Sequence, residues 1–181
     1  MVYFVGNTSI FECCKKATIE DVVAFCSGQD VLGVDTETEG LNFIDDKVIM
    51  FQIGNKTRQY VIDTRYINIE PLRDVLESKS ILKIFHNVKF DNIWDTMLAE
   101  RVIHNGMDNI SYKLSHMTEK YTKKKLDKSV RDGFVGRDGA PFTQSEIIYG
   151  ANDVKHLGTI REKQMEHSTY EELSLVIQLE N

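Results

Sequence analysis

Proline and cysteine are both scarce in this sequence. Its 181 residues include 2 prolines and 3 cysteines. The few prolines leave no stretch that resembles a linker, so we expect one domain over residues 1–181. Cys13 and Cys14 are adjacent and Cys26 is the third, a spacing that fits neither a disulfide framework nor a zinc site. This cysteine usage favours a reducing, cytoplasmic location.

A surplus of positive charge and a long apolar run are also absent. The 22 basic and 28 acidic residues give a net charge of -6. This balance argues against a protein that coats nucleic acid through bulk charge, but a nuclease that binds divalent cations needs local negative charge. The apolar runs are too short to span a bilayer, and the N-terminus lacks the basic start and long apolar core of a signal peptide.

Strand patterns come first along the chain and helical patterns follow. Apolar runs predict strands over residues 1–5, 31–36, 47–54, 59–63 and 81–85. Thr18 begins a predicted helix that runs to about Ser27, residues 69–77 are helical, and helical periodicity dominates from Asp95 onward. This order predicts an α/β or α+β domain with one mixed sheet, in which the closely spaced strands form an antiparallel hairpin or meander.

Two carboxylates lie at the end of the predicted strand over residues 31–36. Asp35 and Glu37 are two positions apart in VLGVDTETEGL, so their side chains project from one face. Two acids on one sheet face repel each other at neutral pH unless a divalent cation lies between them. Alone, such a pair is more often a polar strand end that enters a loop, because short motifs have many false positives.

A second polar pair occurs in TQSEIIYGANDVKHL. Thr143 is a candidate N-cap whose capping box Glu146 completes, and the helix that follows places Tyr149 and Asp153 one turn apart on one face. A buried tyrosine beside a structural aspartate would explain this pair alone. The catalytic interpretation becomes favoured because an Asn-x-x-Phe-Asp segment, residues 87–91, lies between the two pairs in the sequence.

Together the three motifs resemble those of the DnaQ-like 3'-5' exonucleases, in the branch whose last motif carries tyrosine (DEDDy). This branch includes the proofreading domains of family A DNA polymerases and ribonuclease D-like enzymes. The resemblance extends over residues 31–157, and the connecting segments DTMLAERV, LDKSVR and FTQSEIIYGANDV support it. The matching residues are Asp35, Thr36, Glu37 and Leu41, then His86, Asn87, Phe90 and Asp91, and finally Tyr149 and Asp153.

The resemblance implies a ribonuclease H-like fold, an α/β architecture in which a mixed β-sheet is flanked by α-helices. It also implies two Mg²⁺ or Mn²⁺ ions that four carboxylates hold for phosphodiester hydrolysis. By motif position, Asp35 would bind both ions and Asp91 the second ion. Glu37 and Asp153 would bind the ion that activates water. Tyr149 would orient that water through its hydroxyl.

The resemblance further assigns residues to the substrate, which would be the single-stranded 3' end of DNA or RNA. Leu41 and Phe90 would pack against terminal bases, although Phe90 could equally belong to the core. Asn87 and the region of Thr38 would contact the terminal nucleotide. Apolar and aromatic surfaces accept any base, as an exonuclease without sequence preference requires.

The second motif departs from the family pattern. In related domains a helix and a short strand separate Phe-Asp from Asp-Thr-Met-Leu, whereas here Asp91 and Asp95 are four positions apart. We therefore expect both elements to be missing, through natural shortening, an engineered deletion or residues missing from the sequence. Asp91 would then have less helix to anchor it, which would weaken metal occupancy and the rate. Asp95 is predicted to be the N-cap of a helix that starts at Thr96.

Two further segments have alternative interpretations. The basic run KYTKKKLDKSVR is either a phosphate-binding surface or a solvated helix end. Its candidate residues are Lys123, Lys124, Lys125, Lys128 and Arg131. The segment 169–181 predicts an amphipathic helix that leads into a polymerase domain, folds back on this domain or dimerises.

These features favour a metal-dependent 3'-5' exonuclease that acts on DNA in proofreading or trimming. Ribonuclease D-like trimming of RNA 3' ends is the alternative in the same class, since no residue identifies the sugar. A catalytically weakened module that binds nucleic acid or a protein partner is an alternative of another class. A structural domain without catalysis is the third, and it requires all four acids to be coincidental.

Overall fold

A computed structural model describes residues 1–7, 11–40, 46–87, 93–127, 129–130, 133–136 and 139–167. In these ranges no helix is both long enough and apolar enough to cross a membrane. The predicted C-terminal helix over residues 169–181 lies outside the described residues.

Within the described ranges, the strands form one seven-stranded sheet. They are β1 (Val2–Val5), β2 (Lys15–Lys16), β3 (Val31–Thr38), β4 (Val48–Gly54), β5 (Gln59–Asp63), β6 (Leu82–Phe85) and β7 (Ile93–Asp95). Their order across the sheet is β2-β1-β5-β4-β3-β6-β7. The β3-β4-β5 meander is antiparallel and all other neighbours are parallel, which confirms the predicted mixed sheet and meander.

Helices cover both faces of the sheet. They are α1 (Ile19–Cys26), a 3-10 helix (Glu70–Leu72), α2 (Arg73–Glu77), α3 (Thr96–Ile103), α4 (Leu114–Thr122), α5 (Gln144–Lys155) and α6 (Leu157–Met165). Successive strand residues point to opposite faces. Phe51 therefore packs in the core that includes α1 and α2, whereas Met50 packs in the core that includes α5. Helices α3, α4 and α6 enclose a third core around Ile84 and Trp94.

Side-chain caps fix the starts of three helices, and all three were predicted from the sequence. Thr18 forms a capping box with Asp21 at α1, and Thr143 forms one with Glu146 at α5. At α3, the Asp95 carboxylate accepts hydrogen bonds from two backbone amides of the first turn. Each cap satisfies amides that the helix itself leaves without a partner.

The strand that we expected to be missing from the second motif is present as β7. Ile93–Asp95 pairs in parallel with β6 and forms the edge of the sheet. The expectation was therefore wrong for the strand, which is short but supplies a buried Trp94 and the N-cap of α3. Residues 88–92, where the helix was expected to be missing, lie outside the described ranges.

Candidate active site

Strand β3 carries the first pair of predicted acidic residues. Asp35 and Glu37 alternate with Val34 and Thr36, so they lie on the face of the sheet that α5 covers. Asp35 pairs in register with Gln52 of β4. The register shifts after Glu37, which marks an irregularity where β3 ends.

Helix α5 carries the second pair, Tyr149 and Asp153, one turn apart. Tyr149 is 9% exposed and Asp153 is 5% exposed. Apolar residues of the same helix, Ile147, Ala151 and Val154, are buried and hold it against the sheet. The spacing predicted from the sequence therefore places a phenol and a carboxylate on the side of α5 that meets the sheet.

Two glycines allow α5 to approach the sheet closely. A Cβ atom at Gly33 would lie 2.6 Å from the backbone oxygen of Val154. A Cβ atom at Gly150 would lie 2.9 Å from the Met50 sulfur and 3.0 Å from Gln52 Nε2. Because β3 and α5 each carry acidic residues, these close contacts help to set the distance between the two pairs. Neither glycine was predicted from the sequence to have this role.

One cavity of about 900 Å³ brings the predicted residues together. Its lining includes Asp35, Glu37, Asn87, Tyr149 and Asp153, together with Thr36 and His86. Strands β3 and β6 are parallel neighbours, so their carboxyl ends meet at one edge and bring the first two motifs together.

Of the four other predicted site residues, the structure describes Thr38 alone. Thr38 lies at the end of β3 and is not among the residues that line the cavity. Its hydroxyl donates a hydrogen bond to the Gly40 carbonyl oxygen. Leu41, Phe90 and Asp91 lie outside the described residues. Their predicted contacts with bases and metal stay predictions.

Hydrogen bonds that involve Asp95 and Thr96 fix the backbone conformation at the second motif. Asp95 Oδ1 accepts from the backbone amides of Asn87 at 3.1 Å and Met97 at 2.7 Å. Asn87 has a φ of 67°, a left-handed conformation that asparagine tolerates better than most residues. His86 Nδ1 lies 3.1 Å from the Thr96 hydroxyl, which itself donates to the Phe85 carbonyl oxygen. These contacts give His86 a structural role.

Part of the cavity wall comes from residues that sequence reasoning missed. Helix α3 contributes Met97 and Arg101, which are one turn apart on one face. The segment that leads into α4 contributes the rest, namely Ile110, Ser111, Tyr112, Lys113 and Leu114. The i, i+4 spacing of Met97 and Arg101 was the available signal, but an amphipathic helix shows this spacing whether or not it lines a site.

The donor set of the cavity suits a hard divalent cation. Asp35, Glu37 and Asp153 supply carboxylate oxygens, the ligands that Mg²⁺ prefers, and the lining has no cysteine. Within the described ranges, no three acidic, histidine or cysteine side chains lie close enough together to hold a metal ion. Asp91, the fourth predicted ligand, is not among the described residues. The chemistry of the donors fits the implied ions.

The basic run over residues 120–131 is divided between inward and outward side chains. Lys120 Nζ donates to the buried Glu100 carboxylate at 2.7 Å. Lys123, Lys124 and Lys125 are exposed, and Lys125 lies 3.6 Å from a Glu119 oxygen. The other two candidates, Lys128 and Arg131, lie outside the described residues. Both interpretations of the exposed lysines stay open predictions.

Two curated proteins illustrate the sequence relatives of this chain. DNA polymerase I of Aquifex aeolicus is 32% identical over 136 residues, which are 68% of this chain and 21% of that protein. Ribonuclease D of Bartonella henselae is 24% identical over 158 residues, which are 79% of this chain and 38% of that protein. The chain thus spans well under half the length of these relatives.

Solved structures share the fold. The catalytic core of RRP6 from Trypanosoma brucei superimposes with a TM-score of 0.77 at 18% identity, over 98% of this chain and 50% of that chain. NrnC of Brucella melitensis with bound Mg²⁺ gives a TM-score of 0.71 at 16% identity, over 98% of this chain and 88% of that chain. The predicted ribonuclease H-like fold, a mixed sheet flanked by helices, is confirmed.

A family model described as 3'-5' exonuclease matches residues 11–167. This range contains all three motifs and every described residue that lines the cavity. The chain therefore belongs to the 3'-5' exonuclease family.

Proposed function

We propose that this chain removes nucleotides from the 3' end of a single nucleic acid strand by phosphodiester hydrolysis. The observation that carries the proposal is the cavity of about 900 Å³ that Asp35, Glu37, Tyr149 and Asp153 line. Family membership supports the reaction class.

The carboxylates bind metal ions, and Tyr149 has a different role. Asp35, Glu37, Asp153 and, from the motif, Asp91 hold two divalent ions, of which Mg²⁺ is the first candidate. When bound, such ions lower the pKa of a water molecule and stabilise negative charge on the phosphoryl oxygens. Tyr149 donates a hydrogen bond that orients the attacking water. An unperturbed phenol has a pKa of about 10, so it is not a strong base at neutral pH.

Other parts of the cavity would bind the terminal nucleotide. Asn87 lines the cavity, and the hydrogen bond from its backbone N–H to Asp95 fixes the left-handed backbone from which its side chain extends. From the motifs, Leu41 and Phe90 pack against bases, and the region of Thr38 contacts the terminal nucleotide. Fixed groups position a reacting phosphate more effectively than mobile ones.

DNA is our first candidate substrate, in proofreading or trimming. The supporting observation is the 32% identity to a DNA polymerase I, above the identities to the ribonuclease D proteins. By the same relationship, a polymerase domain or subunit is the candidate partner.

RNA is the second candidate substrate. Its support is the ribonuclease D relatives, one of which matches 79% of this chain. Discrimination depends on contacts to the 2'-hydroxyl, and no single residue in the cavity identifies such a contact.

A direct assay tests the proposal. DNA and RNA single strands of matched sequence, labelled at the 5' end, are incubated with the protein and Mg²⁺, Mn²⁺ or a chelator. We expect a ladder of products that shorten from the 3' end, with DNA shortened faster. The ladder should disappear with chelator and in Asp35→Ala.

Three other outcomes have clear meanings. Faster shortening of RNA would replace DNA by RNA as the substrate. Absence of shortening for both strands at high protein concentration would overturn the catalytic proposal and leave a binding module. Cleavage that persists in Asp35→Ala would indicate a contaminating nuclease.

A further inference from the structure

Two cations line the same cavity as the carboxylates. Arg101 extends from α3 and Lys113 lies directly before α4, and both are exposed. Other basic side chains form ion pairs, such as Arg65 with Asp63 and Lys120 with Glu100. In the part of the chain that the structure describes, neither Arg101 nor Lys113 has a carboxylate partner. Their N–H donors are therefore available to a ligand.

An aromatic ring holds one of these cations in place. The Arg101 guanidinium carbon lies 5.5 Å from the centroid of the Tyr112 ring. At this distance the cation is attracted to the ring face, which restricts the guanidinium without neutralising it. Tyr112 is half-buried and also lines the cavity. Arg101, Tyr112 and Lys113 form a surface that we name the basic wall.

The basic wall is a local cluster of positive charge on a molecule whose net charge is negative. The chain carries a net charge of -6, and the same cavity contains Asp35, Glu37 and Asp153. A polyanionic strand is repelled by this overall charge, so its binding requires local cations at the site. Arg101 and Lys113 supply two such cations in the cavity where the carboxylates lie.

We propose that the basic wall is the subsite that holds the substrate strand. Arg101 and Lys113 contact backbone phosphates, and the Tyr112 ring stacks on a base. Both contacts are independent of base identity, because every nucleotide has a phosphate and every base has a π face. This inference rests on the proposed function, since it assigns the residues that position the strand for hydrolysis.

A binding assay in chelator tests the basic wall without any cleavage. The probe is a fluorescein-labelled single strand of ten thymidines, or of ten uridines, titrated with protein at several salt concentrations. The variants are Arg101→Gln, Lys113→Gln, Tyr112→Leu and Tyr112→Phe. The control is Lys79→Gln, an exposed lysine that precedes the opposite end of β6. Circular dichroism and thermal unfolding establish that each variant is folded.

The expected result differs between variants. Loss of either cation should weaken binding and reduce the slope of log affinity against log salt concentration by about 0.7. Tyr112→Leu should weaken binding by about fivefold or more, whereas Tyr112→Phe retains the ring and should bind as wild type does. Lys79→Gln should leave affinity and slope unchanged.

Other results would overturn the inference in whole or in part. Wild-type affinity and salt slope in both Arg101→Gln and Lys113→Gln would show that the basic wall does not contact the strand. Equal affinities of Tyr112→Leu and wild type would remove the stacking contact alone.

Hydrolysis assays separate this inference from the proposed function. With Mg²⁺, Arg101→Gln and Lys113→Gln should raise KM severalfold and leave kcat within about twofold, because they act on binding of the strand. If the wild type binds the strand through the basic wall but does not shorten it, the catalytic proposal fails and the subsite stands. If the wild type shortens strands and the variants have unchanged KM, the subsite fails and the catalytic proposal stands.

Discussion

Gly33 shows how a single missing side chain shapes the site. It lies on β3 two residues before Asp35, and the Val154 carbonyl of α5 occupies the space that a Cβ atom would need. A helix backbone cannot move aside as easily as the end of a flexible side chain. The close approach of α5 to β3 therefore depends on glycine at this position.

We predict that Gly33→Ala lowers both the thermal midpoint and the hydrolysis rate. The added methyl group forces α5 outward, which costs about 1–3 kcal/mol of stability and moves Tyr149 and Asp153. Gly158→Ala is the matched control, because a Cβ there meets no atom within 4 Å and the residue lies in helix α6. That control should gain about 0.4–1 kcal/mol. Calorimetry and the strand-shortening assay measure both effects, and a wild-type rate in Gly33→Ala would contradict the prediction.

Tyr149 permits a test of the hydroxyl apart from the ring. Its ring centroid lies 5.9 Å from that of Phe134, so the ring belongs to a packed cluster. We predict that Tyr149→Phe keeps the thermal midpoint but lowers kcat at least tenfold, because the packing remains and the water-orienting donor is lost. Tyr149→Ala should also unfold at lower temperature. If Tyr149→Phe turns over as fast as wild type, the role of the hydroxyl is wrong.

Among the elements, α3, α4 and α6 are joined by one buried carboxylate. Glu100 of α3 is 1% exposed and accepts hydrogen bonds from Lys120 at 2.7 Å, Tyr121 at 2.7 Å and Gln164 at 3.0 Å. Burial opposes ionisation of Glu100, but these three hydrogen bonds outweigh it and lower its pKa. Helix α3, which carries Met97 and Arg101, and helix α4, which Lys113 precedes, thus depend on an ionised Glu100.

We predict a loss of stability in acid that traces to Glu100. A lowered pKa in the folded state contributes stability above the pKa of the unfolded chain, near 4.3, and this contribution is lost as pH falls toward the folded-state value. Urea unfolding from pH 7 to pH 3 should show this decline in the wild type, and Glu100→Gln should flatten it. Tyr121→Phe, which removes one of the three hydrogen bonds, should reduce the decline by a smaller amount. If the free energy of unfolding falls equally with pH in all three proteins, Glu100 is not the source of the acid destabilisation.

Which elements the sequence predicts depends on how local their causes are. The caps at Thr18, Asp95 and Thr143 were predicted because each involves neighbours within three residues. Strand β7 was not predicted because Ile93–Asp95 is too short to show a hydrophobic alternation, and because its pairing with β6 is a tertiary contact. Helix α6 was not separated from α5 because helical periodicity continues through His156.

The same distinction applies to the candidate site. The carboxylates and Tyr149 were predicted because they stand in short motifs with fixed spacing. Tyr112 and Lys113 were missed because a segment between helices reaches the cavity only through the packing of α3 and α4, which no local pattern encodes. Gly33 and Gly150 were missed because close approach is visible only when two elements meet.

At the scale of the whole molecule, Trp94 is a probe of the contact between the edge of the sheet and the helices that pack on it. It is the single tryptophan of the chain, it is 2% exposed, and its indole nitrogen donates to Gln164 Oε1 of α6 at 3.1 Å. The Arg161 guanidinium carbon lies 5.1 Å from its ring centroid. Its fluorescence therefore follows the contact between β7 and α6.

We predict that urea unfolding curves from Trp94 fluorescence and from far-ultraviolet circular dichroism coincide. One mixed sheet with cores on both faces should unfold as one cooperative unit. Gln164→Leu, which removes the indole partner and a hydrogen bond to Glu100, should shift both curves equally to lower urea. A fluorescence transition that precedes the circular dichroism transition would show that the β7 and α6 end opens first.

The short connection between β6 and β7 has an evolutionary consequence. Parallel strands are usually joined by a crossover of a dozen or more residues, often a helix, whereas here only residues 86–92 connect the two strands. The strand pairing and the Asp95 cap are complete with this short connection. Doubling the length of a flexible loop costs only about 0.6 kcal/mol. We therefore expect insertions before Ile93 to be tolerated by the sheet, so the segment that contains Asp91 can vary among relatives while β3 and α5 keep their acidic residues in place.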